Sequence, residues 1–367
     1  MKKQSTTAKS RRISFRIATM HPLPVGEQVF LTGNVDALGV WNPASFALAR
    51  GDHLVWEGDI VVPADMHVEY KITRGSWDTE EVLQDGSLPE NHIVPAGGDI
   101  VEKHTVHHWH DRRVPQPRIV GDYRVHDEVA SPYLRHKRTV IVWLPPSYGS
   151  EPSRRYPVLY MHDGQQVFDP TTSTWNQDWE VDEWCTKLIK ADRLQEIIVV
   201  GIYSTPDRFV EYNPAELGPD YARFVLEELK PFIDREYRTQ REREHTAVAG
   251  ASMGGAISFY MAWTHPEVFF GAACLSSAFQ YKQDQFTIDL VKKTQELPDL
   301  RLFLYCGQGD DLEKQLTSDL FAMRDVLAEK GMAPGDQLLI STDPDGAHNE
   351  AAWARHTDHW LLFLFGK

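Results

Sequence analysis

Apolar and polar positions follow two different patterns along this chain. Between residues 12 and 111, segments such as ISFRIAT, QVFLTGNV and HVEYKITRG alternate apolar with polar residues and are rich in β-branched and aromatic side chains. Turn residues separate these segments at short, regular intervals, and no helical pattern of useful length interrupts them. The pattern predicts a small antiparallel β-sandwich over residues 12–111, preceded by a disordered tail at residues 1–11.

The pattern changes after residues 112–120, which carry three arginines and two prolines and are typical of an interdomain linker. From residue 121 to 367, near-continuous apolar runs of strand length alternate with helical patterns. Strands that are apolar on both faces indicate a mostly parallel sheet with helices on both sides. The fold class is therefore an α/β sheet domain after a β-sandwich. The predicted helices cover residues 179–190, 219–235, 252–265 and 312–330.

Charge and composition restrict the partners of this protein. The formal net charge of -15 disfavours nucleic acid and anionic membrane surfaces, because like charges repel. No apolar run is long enough to span a bilayer, and the N terminus lacks the apolar segment of a secretory signal. The three cysteines are odd in number and far apart, which predicts free buried thiols and no disulfide. These features together predict a cytoplasmic protein.

A serine between glycines occupies residues 250–254, with the sequence GASMG. A strand-like segment, HTAVAG, leads into it, and a helical pattern follows. Small neighbours permit a sharp turn, which lifts the serine hydroxyl to the N terminus of the helix, where backbone N–H groups favour negative charge. This strand–turn–helix context is that of the nucleophile elbow of α/β-hydrolases. It predicts Ser252 as a nucleophile, in preference to a purely structural turn.

A nucleophilic serine needs a general base and an acid that orients the base. The hydrolase order is serine, acid, histidine. Asp310 and Asp311 follow the apolar run RLFLYCG, at the strand end where open α/β sheets place active-site groups. His348 lies further on, in a loop before the last helix. We therefore predict His348 as the base and Asp310 as the acid, with Asp311 as the alternative acid.

An ester carbonyl attacked by serine also needs two donors for its developing oxyanion. The residue after the nucleophile, Met253, is expected to supply one backbone N–H. The loop in YMHDGQQVFD is expected to supply the other from Gln165, with Gly164 permitting close approach. His162 and Asp163 in this loop form a possible second dyad, but we expect them to stabilise the loop.

Four histidines are concentrated in HTVHHWHD, which invites a metal-site interpretation. The segment is expected to be a strand that runs into the linker, so neighbouring imidazoles point to opposite sides. We therefore predict neither a metal site nor a cofactor. Trp175 and Trp179 are predicted to line an acyl pocket, because aromatic walls suit such sites. Trp143 and Trp353 fit either a pocket or the core.

The second half of the chain resembles the esterase D family of α/β-hydrolases, which includes feruloyl esterases, enterochelin esterases and mycolyltransferases. The resemblance is carried by YPVLYMHDGQQVFD, LKPFIDREYRT, GASMGG, YCGQGDD and GAHNEAAW, and covers about two-thirds of the chain. It implies an α/β-hydrolase fold and serine esterase activity without a cofactor. In this family the first aspartate after the CG pair tends to be the acid, which here is Asp310.

The first half resembles starch-binding carbohydrate-binding modules of the family 20 type, through VFLTGNVDALGVWNP and VEYKITRGSW. The resemblance implies a glycan site with Trp41 for stacking, Lys71 for hydrogen bonding and Asn91 as the matching asparagine. A second stacking tryptophan is missing from LQDGSLPENH, where such modules usually have one. Trp77 is the remaining aromatic candidate. The alternative is a structural β-domain that shapes or shields the esterase cleft.

These observations predict a serine esterase that acts through an acyl-enzyme on an acyl ester of a carbohydrate or a related small ester, of the acetyl or feruloyl type. A siderophore trilactone esterase and an acyltransferase to a sugar hydroxyl remain open, since both use the same triad. A non-catalytic glycan-binding protein is the least favoured alternative. The expected partners are the ester substrate and an α-glucan, with neither nucleic acid nor membrane.

Overall fold

The computed structural model describes residues 9–20, 22–24, 26–51, 54–83, 88–111, 119–173, 176–280, 285–332 and 334–367. It contains two compact units, Met1–Pro115 and Gln116–Lys367. Most of the predicted linker, residues 112–118, lies outside the described residues, as do residues 1–8 of the predicted tail. Ser10 and Arg11 belong to the first strand, and the buried Arg11 guanidinium donates to the Met66 carbonyl at 3.0 Å. The expectation of a disordered tail is therefore wrong for these two residues.

The first unit is a β-sandwich with sheet orders β4-β5-β1-β9 and β3-β2-β6-β8, and a separate pair of β7 with β10. The predicted β-sandwich is confirmed. Strand β1 pairs in parallel with β9, which differs from a purely antiparallel sandwich; these strands are far apart in sequence, so no hairpin constrains their direction. The strands are β1 Ser10–Thr19, β2 Phe30–Gly33, β3 Phe46–Ala47, β4 Ala49–Arg50, β5 Val55–Pro63, β6 Val68–Thr73, β7 Glu81–Val82, β8 His92–Val94, β9 Ile100–Val106 and β10 His108–Trp109.

The second unit is built on an eight-stranded sheet with the order β11-β12-β14-β13-β15-β16-β17-β18. The first two strands in this order, β11 and β12, are antiparallel to their neighbours, and the six others are mutually parallel. The predicted mostly parallel α/β sheet is confirmed. The strands are β11 Asp122–Val129, β12 Arg138–Leu144, β13 Val158–His162, β14 Ile198–Ile202, β15 Thr246–Ala251, β16 Gly271–Leu275, β17 Arg301–Gly307 and β18 Leu338–Asp343.

Helices cover both faces of this sheet, because alternate strand residues point to opposite sides. In β13, Val158 and Tyr160 pack into a core with the helices on one face, whereas Leu159 and Met161 pack into a second core on the other. The helices are α1 Val181–Lys190, α2 Arg208–Glu211, α3 Gly218–Arg223, α4 Lys230–Glu236, α5 Met253–Thr264, α6 Phe286–Lys293, α7 Asp311–Glu329, α8 Glu350–Ala354 and α9 Thr357–Phe365. Among the described residues, no helix combines the length and apolar character needed to cross a membrane.

The helix predicted over residues 219–235 is interrupted. A π-helical turn, Phe224–Leu229, lies between α3 and α4, and Pro231 stands in the first turn of α4. Proline lacks a backbone N–H and clashes with the preceding turn, so the regular hydrogen-bond ladder cannot continue through it. The three other predicted helices agree with α1, α5 and α7 to within two residues at each end.

Candidate active site

Ser252 lies at the junction between β15 and α5, in a sharp turn. Its backbone has φ 58° and ψ −124°, a region that costs energy for any residue with a side chain. The turn is held in place by its neighbours, since Ser252 N–H donates to the Leu275 carbonyl at 2.9 Å and the Ser252 carbonyl accepts from Ala278 N–H at 3.1 Å. The predicted strand–turn–helix context of the serine is confirmed.

The glycines around Ser252 have no room for side chains. A Cβ atom at Gly250 would lie 2.6 Å from the carbonyl oxygen of Gly254, and one at Gly255 would lie 2.2 Å from Ser277 Oγ. A Cβ atom at Gly254 would lie 3.2 Å from Asp163 Oδ2, in the loop after β13. The small residues of the motif therefore allow both the turn and the close packing of that loop on the start of α5.

The four parallel strands β15 to β18 bring their C-terminal ends to one edge of the sheet. The segments that follow these strands carry Ser252, Ser276, Glu313 and His348, of which Glu313 lies in the first turn of α7. The loops after β17 and β18 are joined by a hydrogen bond from Gly309 N–H to the Gly346 carbonyl at 2.8 Å. Open α/β sheets place their active sites at this edge.

The imidazole of His348 is held by a glutamate. Its Nδ1 lies 2.6 Å from Oε1 of Glu313, whose side chain is completely buried. The other oxygen, Oε2, accepts from Ser276 Oγ at 3.0 Å, from Gly307 N–H at 2.5 Å and from Cys306 Sγ at 3.1 Å. Because Nδ1 is engaged, Nε2 is the nitrogen left for a proton from a nucleophile.

Asp310, the predicted acid, occupies a different place. Its Oδ1 accepts from the backbone N–H of Glu313 and its Oδ2 from the backbone N–H of His348, both at 2.8 Å. It is therefore the N-cap of α7 and does not reach the imidazole. The alternative, Asp311, has a fully exposed side chain that pairs with Lys314. The expected contact between Asp310 and the imidazole is wrong, and Glu313 makes it.

A sequence signal for Glu313 exists in the segment GDDLEK. An aspartate followed three residues later by a glutamate, at the start of a helical pattern, is the signature of a helix N-cap. It places Asp310 at the cap and Glu313 in the first turn of α7. The longer glutamate side chain then reaches the imidazole, because the aspartate is occupied by backbone N–H groups.

Electrostatics keep Glu313 ionised. Burial alone would raise its pKa, but the hydrogen bonds from His348, Ser276 and Cys306 outweigh burial and hold the pKa below its ordinary value. Trp353 supports the same group: its indole Nε1 donates to Ser276 Oγ at 2.9 Å, and its ring meets the imidazole of His348 edge-on with centroids 5.1 Å apart. The side chains of Glu313 and His348 are thus fixed by one connected set of contacts.

The loop after β13 carries the predicted oxyanion donor. Gly164–Gln166 forms a 3-10 turn that follows Asp163, which has a φ of 56°. A Cβ atom at Gly164 would lie 2.3 Å from the backbone of Gly201, so a glycine is needed for the loop to pack this closely on β14. The side chain of Gln165 is fixed by reciprocal hydrogen bonds with Ser204. Gln165 lies in this 3-10 turn and Met253 in the first turn of α5. Backbone N–H groups at the start of a helix have no carbonyl of their own helix to bond.

His162 and Asp163 have structural partners, in agreement with the expectation that they stabilise the loop. Asp163 forms a two-point ion pair with Arg208, at 2.6 and 2.7 Å. Nδ1 of His162 lies 2.9 Å from the hydroxyl of Tyr221, and burial lowers the pKa of His162 to about 3. A histidine with this pKa is uncharged at neutral pH.

The tryptophans predicted to line a pocket are placed differently. Trp179 is only 3 % exposed and packs against Trp353 and Trp360, so it belongs to the core and the pocket prediction is corrected. Its contacts with these two indoles, which belong to α8 and α9, explain the burial. Trp143 is also core, and Trp175 lies outside the described residues. A small depression next to Ser252 is lined instead by Asn213, Pro214, Met253, Ala278, Phe279, Phe286 and Thr287.

The residues predicted to bind glycan lie in the first unit. Trp41 follows Gly39 and Val40, and all three have left-handed backbones, an arrangement under strain that holds the indole half-exposed. Trp77 is 41 % exposed. The Lys71 ammonium donates to the Pro89 carbonyl at 2.8 Å, and the Asn91 amide donates to Glu69 Oε2 at 2.9 Å.

Two groups of side chains among the described residues bring three metal-ligating atoms within 4.8 Å of one another. One, in the second unit, consists of Asp178, Asp182 and Glu183. Burial and a hydrogen bond with Glu183 raise the pKa of Asp182 well above its ordinary value, which favours a carboxyl pair that shares a proton. The other, in the first unit, consists of Glu81, His92 and His104.

Two models of known protein families match this chain. The model of a family described as putative esterase matches residues 131–356, and that of the starch binding domain matches residues 11–103. The first match covers more than half of the chain, so the protein belongs to this esterase family. It is accordingly a carboxylic-ester hydrolase whose first unit matches the starch binding domain, and the resemblance to these families is confirmed.

Individual relatives match either about two-thirds of this chain or nearly all of it. The uncharacterized protein YbbA of Bacillus subtilis (strain 168) is 25% identical over 249 residues, which cover 63% of this chain and 93% of YbbA. A ferulic acid esterase structure has a TM-score of 0.56 at 22% identity and covers 66% of this chain and 98% of its own. The structure of the enterobactin esterase FES from Shigella flexneri has a TM-score of 0.56 at 17% identity, and the match covers 98% of this chain and 94% of FES. The two structures share the fold with this protein.

Proposed function

We propose that the second unit hydrolyses carboxylic esters through an acyl-enzyme on Ser252. The observation that carries this proposal is the contact between His348 Nδ1 and the buried Glu313, at the sheet edge where Ser252 occupies its strained turn. A nucleophile, a base and an orienting acid are the three roles that acyl transfer by a serine requires.

In the first half of the reaction, the Ser252 hydroxyl adds to the ester carbonyl while His348 Nε2 takes its proton. Glu313 holds the imidazole in the tautomer with Nδ1–H and stabilises the imidazolium that forms. The imidazolium then protonates the departing alcohol, and the acyl group remains on Ser252. Water, deprotonated by the same imidazole, releases the carboxylic acid in the second half.

The oxyanion of each tetrahedral intermediate is assigned to the backbone N–H groups of Met253 and Gln165. This assignment is supported by the position of both residues in first turns and by the packing of the β13 loop against Gly254. Donors that are fixed before the reaction contribute on the order of 3 kcal/mol each to such transition states. No organic cofactor takes part in this scheme.

We assign an acyl ester of a carbohydrate, of the acetyl or feruloyl type, as the substrate class. The starch-binding module supports this assignment, because a glycan-binding unit concentrates the enzyme on polysaccharide. A siderophore trilactone is the second candidate, favoured by the similarity of the whole chain to an enterobactin esterase, both units included.

The nucleophile is tested with Ser252→Ala. We expect the loss of at least about 10³-fold in kcat on p-nitrophenyl acetate and the loss of labelling by a fluorophosphonate, because the proposed acyl-enzyme forms on the hydroxyl that this variant lacks. Ser258→Ala is the matched control: Ser258 lies on the same helix and only donates to the Gly254 carbonyl. Labelling of Ser252→Ala at the wild-type level, or an unlabelled wild type, would contradict the proposal.

The substrate class is tested separately with the wild-type protein. Feruloyl and acetyl esters of oligosaccharides are compared with a catecholate trilactone by kcat/KM, with and without an added sugar acceptor. We expect the carbohydrate esters to be preferred, with free acid as the product. Preference for the trilactone selects the second candidate, and a sugar ester formed with the acceptor identifies an acyltransferase.

A further inference from the structure

The interior of the β-sandwich contains a group of three polar side chains. Glu81, on β7, is only 4 % exposed, and His92, on β8, and His104, on β9, are both mostly buried. Burying ionisable groups between two sheets costs stability unless they are paired or bind an ion. A β-sandwich core is otherwise filled by apolar side chains, as it is around Phe15 and Ile17 in this unit.

The three side chains converge through their ligand atoms. His92 Nε2 lies 2.8 Å from Oε2 of Glu81, and His104 Nε2 lies 2.5 Å from Oε1. One oxygen or nitrogen of each residue falls within 4.8 Å of the others. The ring of His92 is stacked on Tyr70 with centroids 5.0 Å apart, which fixes the orientation of the imidazole.

We propose that Glu81, His92 and His104 form a zinc site in the first unit. Two imidazole nitrogens and one carboxylate oxygen are a donor set that suits Zn²⁺, whereas Ca²⁺ and Mg²⁺ prefer oxygen atoms alone. A tetrahedral zinc ion with bonds of about 2.0–2.1 Å separates its ligand atoms by roughly 3.3 Å. This separation lies between the present contacts of 2.5 and 2.8 Å and the 4.8 Å extent of the group, so small side-chain rotations suffice.

The site has the properties of an open, three-ligand centre. The side chains of His92 and His104 are 20% and 26% exposed, so an ion can enter and water can fill the fourth position. The ligands also come from three separate pairings: β8 pairs with β6, β9 pairs with β1, and β7 pairs with β10. A bound ion therefore joins strands of both sheets and stabilises the sandwich.

The test uses the full-length chain without a histidine tag, stripped of metal by a chelator at pH 7.5. Titration with Co²⁺, which reports its geometry by visible absorption, is expected to give one equivalent with a four-coordinate spectrum that Zn²⁺ abolishes. Zn²⁺ is expected to raise the unfolding temperature of the first unit by several degrees. The hydrolysis of a soluble ester is expected to be unchanged, since none of the three residues belongs to the esterase unit.

Two variants assign the ligands. His104→Gln and His92→Gln are each expected to weaken Co²⁺ binding about 100-fold or more and to abolish the four-coordinate spectrum. His67→Gln is the matched control, because His67 is an exposed histidine of the same unit that also faces a glutamate, at 3.3 Å. Circular dichroism before metal addition verifies folding of each variant.

Either the titration of wild type or that of a folded variant can overturn the inference. Absence of saturable Co²⁺ binding, a weak six-coordinate spectrum, or wild-type binding by folded His104→Gln shows that Glu81 is only a hydrogen-bond acceptor for two imidazoles. The same titration of Asp182→Asn identifies any binding that belongs to the carboxylate group of the second unit.

Discussion

Ser276 is a single residue on which the geometry of the candidate triad depends. Its backbone is left-handed, with a φ of 43°, and its hydroxyl donates to Glu313 while it accepts from the indole of Trp353. A serine tolerates this strained backbone because its short side chain makes two hydrogen bonds in return. Through Glu313, these bonds set the orientation of the His348 imidazole.

The exchange of Glu313 for Gln tests which carboxylate orients the base. An amide cannot stabilise the imidazolium and can select the wrong tautomer of His348, so kcat is expected to fall by roughly 10³- to 10⁴-fold with little change in KM. The measurement is the pH profile of kcat and kcat/KM on p-nitrophenyl acetate.

The matched variant is Asp310→Asn. Asparagine also accepts hydrogen bonds at a helix N-cap, so the free energy of unfolding is expected to change little. The kcat is expected to remain within about tenfold of wild type. Asp310→Ala removes the cap and is expected to cost about 1–2 kcal/mol of stability. A larger loss of kcat in Asp310→Asn than in Glu313→Gln would show that Asp310, and not Glu313, orients the imidazole of His348.

The buried carboxyl of Glu350 is expected to make the stability of the fold depend on pH. Burial raises its pKa from 4.5 to about 8. Below pH 4.5 the carboxyl is protonated in both states, whereas between pH 4.5 and 8 the unfolded chain loses the proton that the folded protein keeps. The stability contributed by this group is therefore fully present below pH 4.5 and is lost as the pH rises towards 8.

Glu350→Gln removes this pH dependence. Relative to wild type, the variant is expected to gain on the order of a few kcal/mol between pH 5 and pH 8, as measured by urea unfolding at both values. Glu296→Gln, a substitution at an exposed glutamate, is the control and is expected to follow wild type. Parallel pH curves for wild type and Glu350→Gln would show that the carboxyl is ionised in the folded protein.

At the scale of elements, the β15–α5 junction depends on the absence of a side chain. Gly250→Ala puts a Cβ atom 2.6 Å from the carbonyl oxygen of Gly254, so the turn must shift and carry Ser252 with it. We expect kcat to fall by about 10²-fold or more, because an error of 1 Å at a nucleophile has this effect.

Gly149→Ala is the control for this substitution, since a Cβ atom there meets no other atom within 4 Å. It is expected to leave both activity and far-ultraviolet circular dichroism unchanged. If Gly250→Ala retained wild-type kcat in a folded protein, the strained turn would not be needed for catalysis.

The sequence allowed the elements of the site to be predicted better than its contacts. Strand β15, helix α5 and the positions of Ser252 and His348 follow from apolar periodicity and turn residues, which are local properties. The interruption at residues 224–229 and the choice of Glu313 depend on how backbone N–H groups are satisfied. The burial of Trp179 depends on packing between α1 and the last two helices, which no local pattern encodes.

At the scale of the whole molecule, the proposed chemistry and the proposed glycan site lie in different units. Ser252, Glu313 and His348 all belong to Gln116–Lys367, and Trp41 and Trp77 belong to Met1–Pro115. Because the two functions share no residue, we expect substitutions in one unit to leave the function of the other unchanged.

Trp41→Ala tests this separation. Loss of the indole is expected to reduce binding to insoluble starch by about tenfold or more, because stacking on sugar faces contributes on the order of 1 kcal/mol and excludes water. Hydrolysis of p-nitrophenyl acetate is expected to be unchanged. Ser252→Ala is expected to lose the hydrolysis of p-nitrophenyl acetate and to keep starch binding. Val61→Ala, at an exposed apolar residue of β5, is expected to alter neither property.

The same variants reveal how the units cooperate on a polymer. A feruloylated or acetylated insoluble glucan is expected to be hydrolysed more slowly by Trp41→Ala than by wild type, while a soluble ester of the same acyl group is hydrolysed equally, because binding raises the local concentration of ester only on the polymer. Starch binding by Trp77→Ala shows whether this second indole also takes part in the glycan site. Equal rates of wild type and Trp41→Ala on both substrates, with no starch binding by wild type, would mean that the module has a structural role alone.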